Sequence, residues 1–312
     1  MHALVTGATG FIGSNLCNKL LKQGFKVTGL SRTKKSSESA SYLRDFDPKR
    51  FQTINCDIVD NKGLVEIFEK LEPVDCIFHL AGQTYQKNST DSRSYFQNNF
   101  IGTLNMLECC RIYNIKKFVF SSSVAVYGLS VGQSSPKYLP VDEKHFVNPY
   151  DFYDLSKYHA EELCKFYYKR FGIACIVLRY SRVYGPTMMK GFIFQAIRKA
   201  LSNEPLEVFG DVSTDFVFID DVVKANIATF EKTIPEFEIF NIGSGQEITL
   251  YWICSKIIEL THSSSQLKFH ANNTKSKFSL DISKAKTILG YEPVRLEQGL
   301  IECIHYIKNS TK

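Results

Sequence analysis

Long apolar runs are missing from this 312-residue chain, and no stretch of 18 apolar residues could span a bilayer. Also missing is a charged segment followed by an apolar one at the start. The sequence Met-His-Ala-Leu-Val-Thr-Gly reads straight into a strand, which predicts no secretory leader and no membrane partner. Runs of Lys and Arg never exceed two residues and the formal charge is only +6, so nucleic acid is not an expected partner. That mild positive potential suits a small anionic ligand instead. There is no Cys-x-x-Cys pair. The nine cysteines, at 17, 56, 76, 109, 110, 164, 175, 254 and 303, are odd in number and mostly sit inside apolar runs. They read as reduced core thiols of a cytoplasmic protein, not as a disulfide framework or a metal site. Internal repeats and low-complexity linkers are absent as well. What remains, at 44% hydrophobic and 22% charged residues, is enough for one large globular domain or two unequal ones.

What is present first is a rhythm. Residues 2–6 form a short apolar run ending in a glycine-rich turn, and Phe11 to Lys22 carries apolar residues at helical spacing. Gly24 ends that helix, and Lys26 to Leu30 reads as a second strand. Residues 33–49 are polar and read as loop. Strands follow at Gln52–Cys56, Asp75–Leu80, Lys117–Ser121 and Ala174–Arg179, with helices at Lys62–Lys70, Tyr95–Tyr113 and Tyr153–Phe171. This alternation predicts an α/β fold, a doubly wound parallel sheet over residues 1–186. Past residue 186 the rhythm loosens. Helices near 191–202, 220–232, 249–261 and 297–308 and short strands near 206–209 and 239–242 predict a smaller α/β lobe over 187–312, with a ligand cleft between the two.

The first turn, Thr6-Gly7-Ala8-Thr9-Gly10-Phe11-Ile12-Gly13, lies between strand and helix. Glycines are needed where the chain turns tightly and where backbone must approach a pyrophosphate, and the helix start offers free N–H groups to it. This turn predicts a dinucleotide on Gly7, Gly10, Phe11, Ile12 and Gly13. An acidic residue at the end of the second strand would mark NAD, through the ribose 2′-hydroxyl. Ser31-Arg32 stands there instead, followed by Thr33, Lys34 and Lys35. A guanidinium beside a hydroxyl suits a 2′-phosphate, so NADP is expected over NAD. Asp57, after the third strand, is placed to accept from the adenine amino group. Leu80-Ala81-Gly82 is small enough for a cofactor to lie along the backbone.

Tyr153 and Lys157, four apart at a helix start, share one face. An ammonium beside a phenol favours phenolate, so the pair predicts a tyrosine whose pKa falls from about 10 toward working pH. The hydroxyl that would share the substrate's oxygen comes from Ser121, Ser122 or Ser123, at the end of the strand before.

With these motifs in place, the chain resembles the extended short-chain dehydrogenase/reductase family, specifically its nucleotide-sugar epimerase/dehydratase branch. The resemblance runs through TGATGFIG (6–13), HLAG (79–82), NNFIGTLNMLE (98–108), SSSVAVYG (121–128), Tyr153-x-x-x-Lys157, LRYSRVYGP (178–186), DFVFIDDV (215–222), FNIGSG (240–245) and ILGYEP (288–293). It implies that Ser123 is the catalytic hydroxyl, Tyr153 the general acid/base and Lys157 its partner. It adds Ile58, Asn99, Ser121, Tyr180 and Val183 to the cofactor's surroundings and Gln83 to the substrate's. It also implies that some segments after 186, about 215–245, return to the dinucleotide-binding domain. The helices near 95–113 and 153–171 resemble those of a four-helix homodimer interface.

Two departures bear on function. Dehydratases of this branch carry acids just after the catalytic hydroxyl, where this chain has Val124 and Ala125, so water elimination is disfavoured. The Arg-Asp-Phe motif that clamps a substrate diphosphate reads Thr214-Asp215-Phe216, and the Asn before Val-Tyr-Gly-Pro is Arg182. A guanidinium moved to Arg182, with Lys190 or Lys277, is the expected replacement. The expected activity is therefore a nucleotide-sugar epimerase working through a transient keto sugar. The alternatives are an NADPH-dependent 4-keto-sugar reductase, a non-sugar ketone reductase, and a non-catalytic NADP-binding scaffold. His79, His145, His159 and Cys109-Cys110 are read as packing residues, and the aromatic stretch 166–171 as a core or dimer face.

Overall fold

The computed structural model describes residues 1–32, 43, 46–86, 91–128 and 136–310. In the first half, β1 (His2–Thr6), α1 (Phe11–Lys22), β2 (Lys26–Ser31), β3 (Phe51–Asn55), α2 (Asn61–Phe68) and β4 (Cys76–His79) lead to α3 (Ser92–Tyr95). A π-helical segment (Phe96–Ile101) joins α3 to α4 (Gly102–Ile112), followed by β5 (Lys117–Ser123), α5 (Phe152–Phe171) and β6 (Ala174–Tyr180). The second half holds β7 (Arg182–Tyr184), α6 (Phe192–Leu201), β8 (Leu206–Thr214), β9 (Phe216–Phe218), α7 (Ile219–Glu231) and β10 (Phe237–Ile242). It closes with β11 (Ile248–Thr249), α8 (Leu250–Thr261), β12 (Leu267–Ser276), α9 (Ser283–Leu289) and α10 (Leu296–Ser310).

Seven strands form one parallel sheet in the order β10-β6-β5-β4-β1-β2-β3. The chain order reverses at β1, between β2 and β4, and a ligand crevice opens above the carboxyl ends of strands at such a point. Alternate residues of β1 serve opposite faces, as the two-residue period of a strand demands. Ala3 and Val5 pack with Leu16 and Leu20 of α1 and Val222 and Val223 of α7. Leu4 packs with Leu64 of α2, Leu107 of α4 and Cys164 of α5. Each such buried Leu contributes roughly 1.5–3 kcal/mol by leaving water. All nine cysteines are free and buried, most of them in these two layers.

The helix that carries Tyr153 and Lys157 has both ends specified locally. The Asp151 carboxylate accepts from the Asp154 N–H at 3.1 Å, capping the start. Gly172, in the left-handed region at φ 66°, ends it after Lys169 and Arg170.

The structure differs from the sequence reading in four places. The single helix expected over Tyr95–Tyr113 starts earlier, at Ser92, and contains a π segment that brings Asn98 and Asn99 to the sheet side, both buried. The strand near 239–242, which the loosened rhythm put in the smaller lobe and the family resemblance returned to the dinucleotide-binding domain, is β10, and it pairs with β6 as the seventh strand of the main sheet. The strand near 206–209 runs on to Thr214 and forms a second sheet, β11-β8-β12, while β7 pairs with β9. Finally, β12 and α9 carry too little apolar periodicity to be read in advance.

Candidate active site

The glycine turn closes onto β1 and β4. Gly7 adopts φ 69°, and a side chain there would meet the Ala81 backbone nitrogen at 3.0 Å. A Cβ on Gly13 would stand 2.2 Å from the Gly7 carbonyl oxygen, so α1 can approach β1 only because that residue is glycine. Thr6 Oγ1 accepts from the N–H groups of Leu80 and Ala81 at 3.1 and 3.0 Å and meets His79 Nδ1 at 2.8 Å, tying the ends of β1 and β4 together. His79, whose other ring nitrogen meets Thr103, is held neutral because burial pushes its pKa down to about 3. Gly10, at the N-cap of α1, offers no side chain to the first N–H groups of that helix.

These features border a groove of about 540 Å³. The expected loop residues Gly7, Gly10, Phe11, Ile12 and Gly13 line it, as do Ser31, Arg32, Ile58, Leu80, Ala81, Gly82 and Val183. Its size, its glycine floor and the uncapped helix start fit a dinucleotide. Asp57 does not line the groove. It sits behind Arg32, its carboxylate 3.9 Å from the guanidinium, and accepts from the Val59 N–H. Arg32 also donates to Asn98 Oδ1 at 2.9 Å, and Ser31 Oγ lies 2.6 Å from Thr9 Oγ1. Asn98, in the π segment, lines the groove and was not among the residues expected there. Thr33, Lys34 and Lys35 lie outside the described residues.

The three serines at the end of β5 are separated by strand alternation. Ser122 points into the core and bonds Glu161, which also takes two hydrogen bonds from Arg179, at 3.0 and 2.6 Å. Ser123 lies on the opposite side and caps the 3₁₀ turn Val124–Tyr127, accepting from the Ala125 N–H at 3.2 Å. Ser121 contributes its carbonyl, which accepts from Lys157 Nζ at 2.8 Å. Lys157 Nζ also stands 4.9 Å from the Phe120 ring centroid. Asn99 fastens this region from below. Its Oδ1 accepts from the Gln83 N–H at 2.7 Å, and its Nδ2 donates to Ser156 Oγ at 2.9 Å and to the Gln83 carbonyl at 3.1 Å. Tyr180 is buried, hydrogen-bonds Asn226, and does not line the groove.

The electrostatics differ from the expectation for Tyr153. Burial pushes its pKa up to about 12, opposed by the hydrogen bond with Ser123 and reinforced by the charges of Asp154 and Asp151. The lowering expected from Lys157 is absent in the protein alone. Lys157 is itself pushed down to about 8 by burial, with Glu161 opposing. Asp154, fully buried beside the tyrosine, is raised to about 7 by burial and then by Asp151.

A second cavity, of about 360 Å³, adjoins the groove and shares Val183, Met188 and Lys190 with it. Arg182 and Lys190 are its cations, and Phe194, Ile197, Phe216 and Leu250 give it an apolar interior. Arg182 Nε donates to Thr214 Oγ1 at 3.2 Å. Gly191 and Phe192, at the start of α6, line it as well. Lys277 is exposed and borders neither cavity. Gln83 borders neither, and its Oε1 accepts from Ser94 Oγ at 2.6 Å.

Residues 3–243 match the model of the NAD dependent epimerase/dehydratase family. The chain belongs to this family. It is 35% identical to a putative UDP-glucose 4-epimerase of Methanocaldococcus jannaschii, over 99% of both chains. Among solved structures, it resembles the UDP-glucose 4-epimerase of Thermotoga maritima with UDP-glucose (TM-score 0.88, 30% identity, all of both chains covered). It also resembles the UDP-glucuronic acid 4-epimerase of Bacillus cereus in complex with UDP-glucuronic acid and NAD (TM-score 0.85, 31% identity, 99% and 100% covered).

Two local features bear on the chemistry. Val124 and Ala125, directly after Ser123, are buried and apolar, so no second acid or base stands beside Tyr153 from that turn. Asp215, at the position after Thr214, is spent on structure. Its carboxylate accepts from Ser244 N and Oγ, Gly245 N and Leu280 N, fixing the turn after β10.

Proposed function

We propose that this chain is an NAD(P)-dependent UDP-sugar 4-epimerase that inverts a sugar carbinol through a transient keto sugar. The observation that carries the reading is the placing of Ser123, Tyr153 and Lys157 together on the β5 and α5 ends, with Lys157 Nζ bonded to the Ser121 carbonyl, beside a dinucleotide-sized groove. The nicotinamide, when bound, supplies the hydride acceptor and donor. Tyr153 takes the carbinol proton and gives it back after the ketone has turned its other face. Ser123 shares the hydrogen bond to that oxygen, and Lys157 keeps positive charge near the phenol. With Val124 and Ala125 following Ser123, the chain lacks the groups that water elimination would need there. The UDP moiety comes from the relatives' substrates, and Arg182 with Lys190 is the pair of cations we assign to its diphosphate.

Ser31 and Arg32 in the groove favour NADP over NAD, even though Asp57 and Asn98 already engage the guanidinium. This same pair favours a second reading, an NADPH-dependent keto-sugar reductase. We further place the enzyme in the cytoplasm as a homodimer. Ile101, Ile112 and Phe166 leave apolar surface exposed on the π segment, α4 and α5, where a four-helix interface would form.

The deciding experiment incubates the purified protein with UDP-glucose or UDP-glucuronate and follows the C4 epimers by NMR, with and without added dinucleotide. Interconversion to an equilibrium mixture with no net change in NAD(P)H absorbance is the expected outcome. Stoichiometric NADPH loss with a 4-keto sugar, and no interconversion, would replace it with the reductase.

A further inference from the structure

Lys190 belongs to both halves of the site. It lines the dinucleotide groove and the adjoining cavity, as do its neighbours Val183 and Met188. The segment that carries it is anchored on the cofactor side. Asn15, in the first turns of α1, donates to Thr187 Oγ1 at 3.2 Å and to the Phe11 carbonyl at 2.8 Å. On the other side the segment runs through Gly191, at φ 92°, into α6, whose first residues line the second cavity. The other cations of the site have partners: Arg182 donates to Thr214, Arg32 donates to Asn98, and Lys157 donates to the Ser121 carbonyl. Lys190 is exposed and makes no hydrogen bond or ion pair among the described residues.

We propose that Lys190 is a shared counter-cation between the pyrophosphate of the dinucleotide and the diphosphate of the nucleotide substrate, so that each ligand strengthens binding of the other through it. The proposal rests on the UDP-sugar reading above. Two multiply charged anions in adjoining cavities repel each other, and a flexible ammonium on their common wall offsets that repulsion only when both are present. Linkage makes the effect reciprocal: what the dinucleotide does to UDP affinity, UDP does to dinucleotide affinity. Arg182, which lines the second cavity but not the groove, should instead act on the substrate alone.

The test is calorimetric titration of UDP into the full-length protein, with saturating dinucleotide and after its removal, for wild type, Lys190→Met, Lys190→Arg and Arg182→Met. Lys190→Met should weaken UDP about tenfold in the loaded protein and about twofold or less in the stripped protein. Lys190→Arg should keep most of the coupling, and Arg182→Met should weaken UDP equally in both states. Uridine, which has no diphosphate, should show no dependence on Lys190. Equal losses for Lys190→Met in both states, no loss in either, or an effect that persists with uridine would overturn the proposal. If wild type binds no UDP in any state, the UDP-sugar reading itself fails and the proposal falls with it.

Discussion

The two cavities of the site are built from different materials. The dinucleotide groove is largely backbone: one contiguous turn, two strand ends and glycines whose missing side chains leave the space. The substrate cavity is made of side chains drawn from β7, β8, β9, α6, α8 and α10, with two cations and an apolar interior. A backbone site tolerates little change in its glycines and much in its surroundings. A side-chain site can exchange one residue for another from a different element.

That contrast can be broken at several points. Tyr153→Phe should cost the largest factor, about 10²–10⁴ in kcat, because it removes the proton carrier and leaves both cavities intact. Unchanged UDP and dinucleotide affinities in the same variant would separate chemistry from binding, and a fall below tenfold would rule Tyr153 out as acid/base. Arg182→Glu should raise the substrate KM roughly 10- to 100-fold, in line with losing a charge-assisted bond, while dinucleotide affinity holds. An unchanged KM would mean that the diphosphate is held elsewhere. Gly13→Val should do the reverse. Its side chain meets backbone at Gly7, so dinucleotide binding or folding should lose about 1–3 kcal/mol, read by thermal melts with and without cofactor.

Arg32→Ala should lower the NADP-over-NAD preference by about tenfold, the scale of one charge-assisted contact, with UDP affinity unaffected. A preference that survives would assign discrimination to residues other than Arg32. The smallest effect concerns Asp154. Its pKa is raised to about 7 in the fold, against an ordinary value near 3.8, so the folded state holds a proton that the unfolded state releases. The stability this adds is complete below pH 4 and is lost as pH rises through 7. Asp154→Asn, which cannot ionise, should therefore lose less stability than wild type between pH 5 and pH 8, by roughly 1–2 kcal/mol. Parallel pH profiles of the two melting temperatures would dismiss the effect.

How much was legible in advance follows the same division. The turn from Thr6 to Gly13 could be read because its requirements are local: a tight turn, a close approach and a helix start lie within eight residues. The pairing of Tyr153 with Lys157 is also local, four residues on one helix. Ser123 needed the family resemblance to be chosen over Ser121 and Ser122. Lys190 and Lys277 looked equivalent as free cations, yet only Lys190 borders the site. Asn98 stood inside the NNFIGTLNMLE motif without a role of its own, and its contact with Arg32 comes from the π segment that carries it.

By itself, then, the sequence determined the parallel α/β class, the dinucleotide turn and the Tyr–Lys pair, because short-range sterics and periodicity set each of them. The tertiary structure alone decided that Asp57 and Asn98 hold Arg32 and that Arg182 reaches Thr214. It also reversed the expected direction of the Tyr153 pKa. Burial is a sum over distant segments, and it pushes this phenol upward where the spacing alone suggested a lowering.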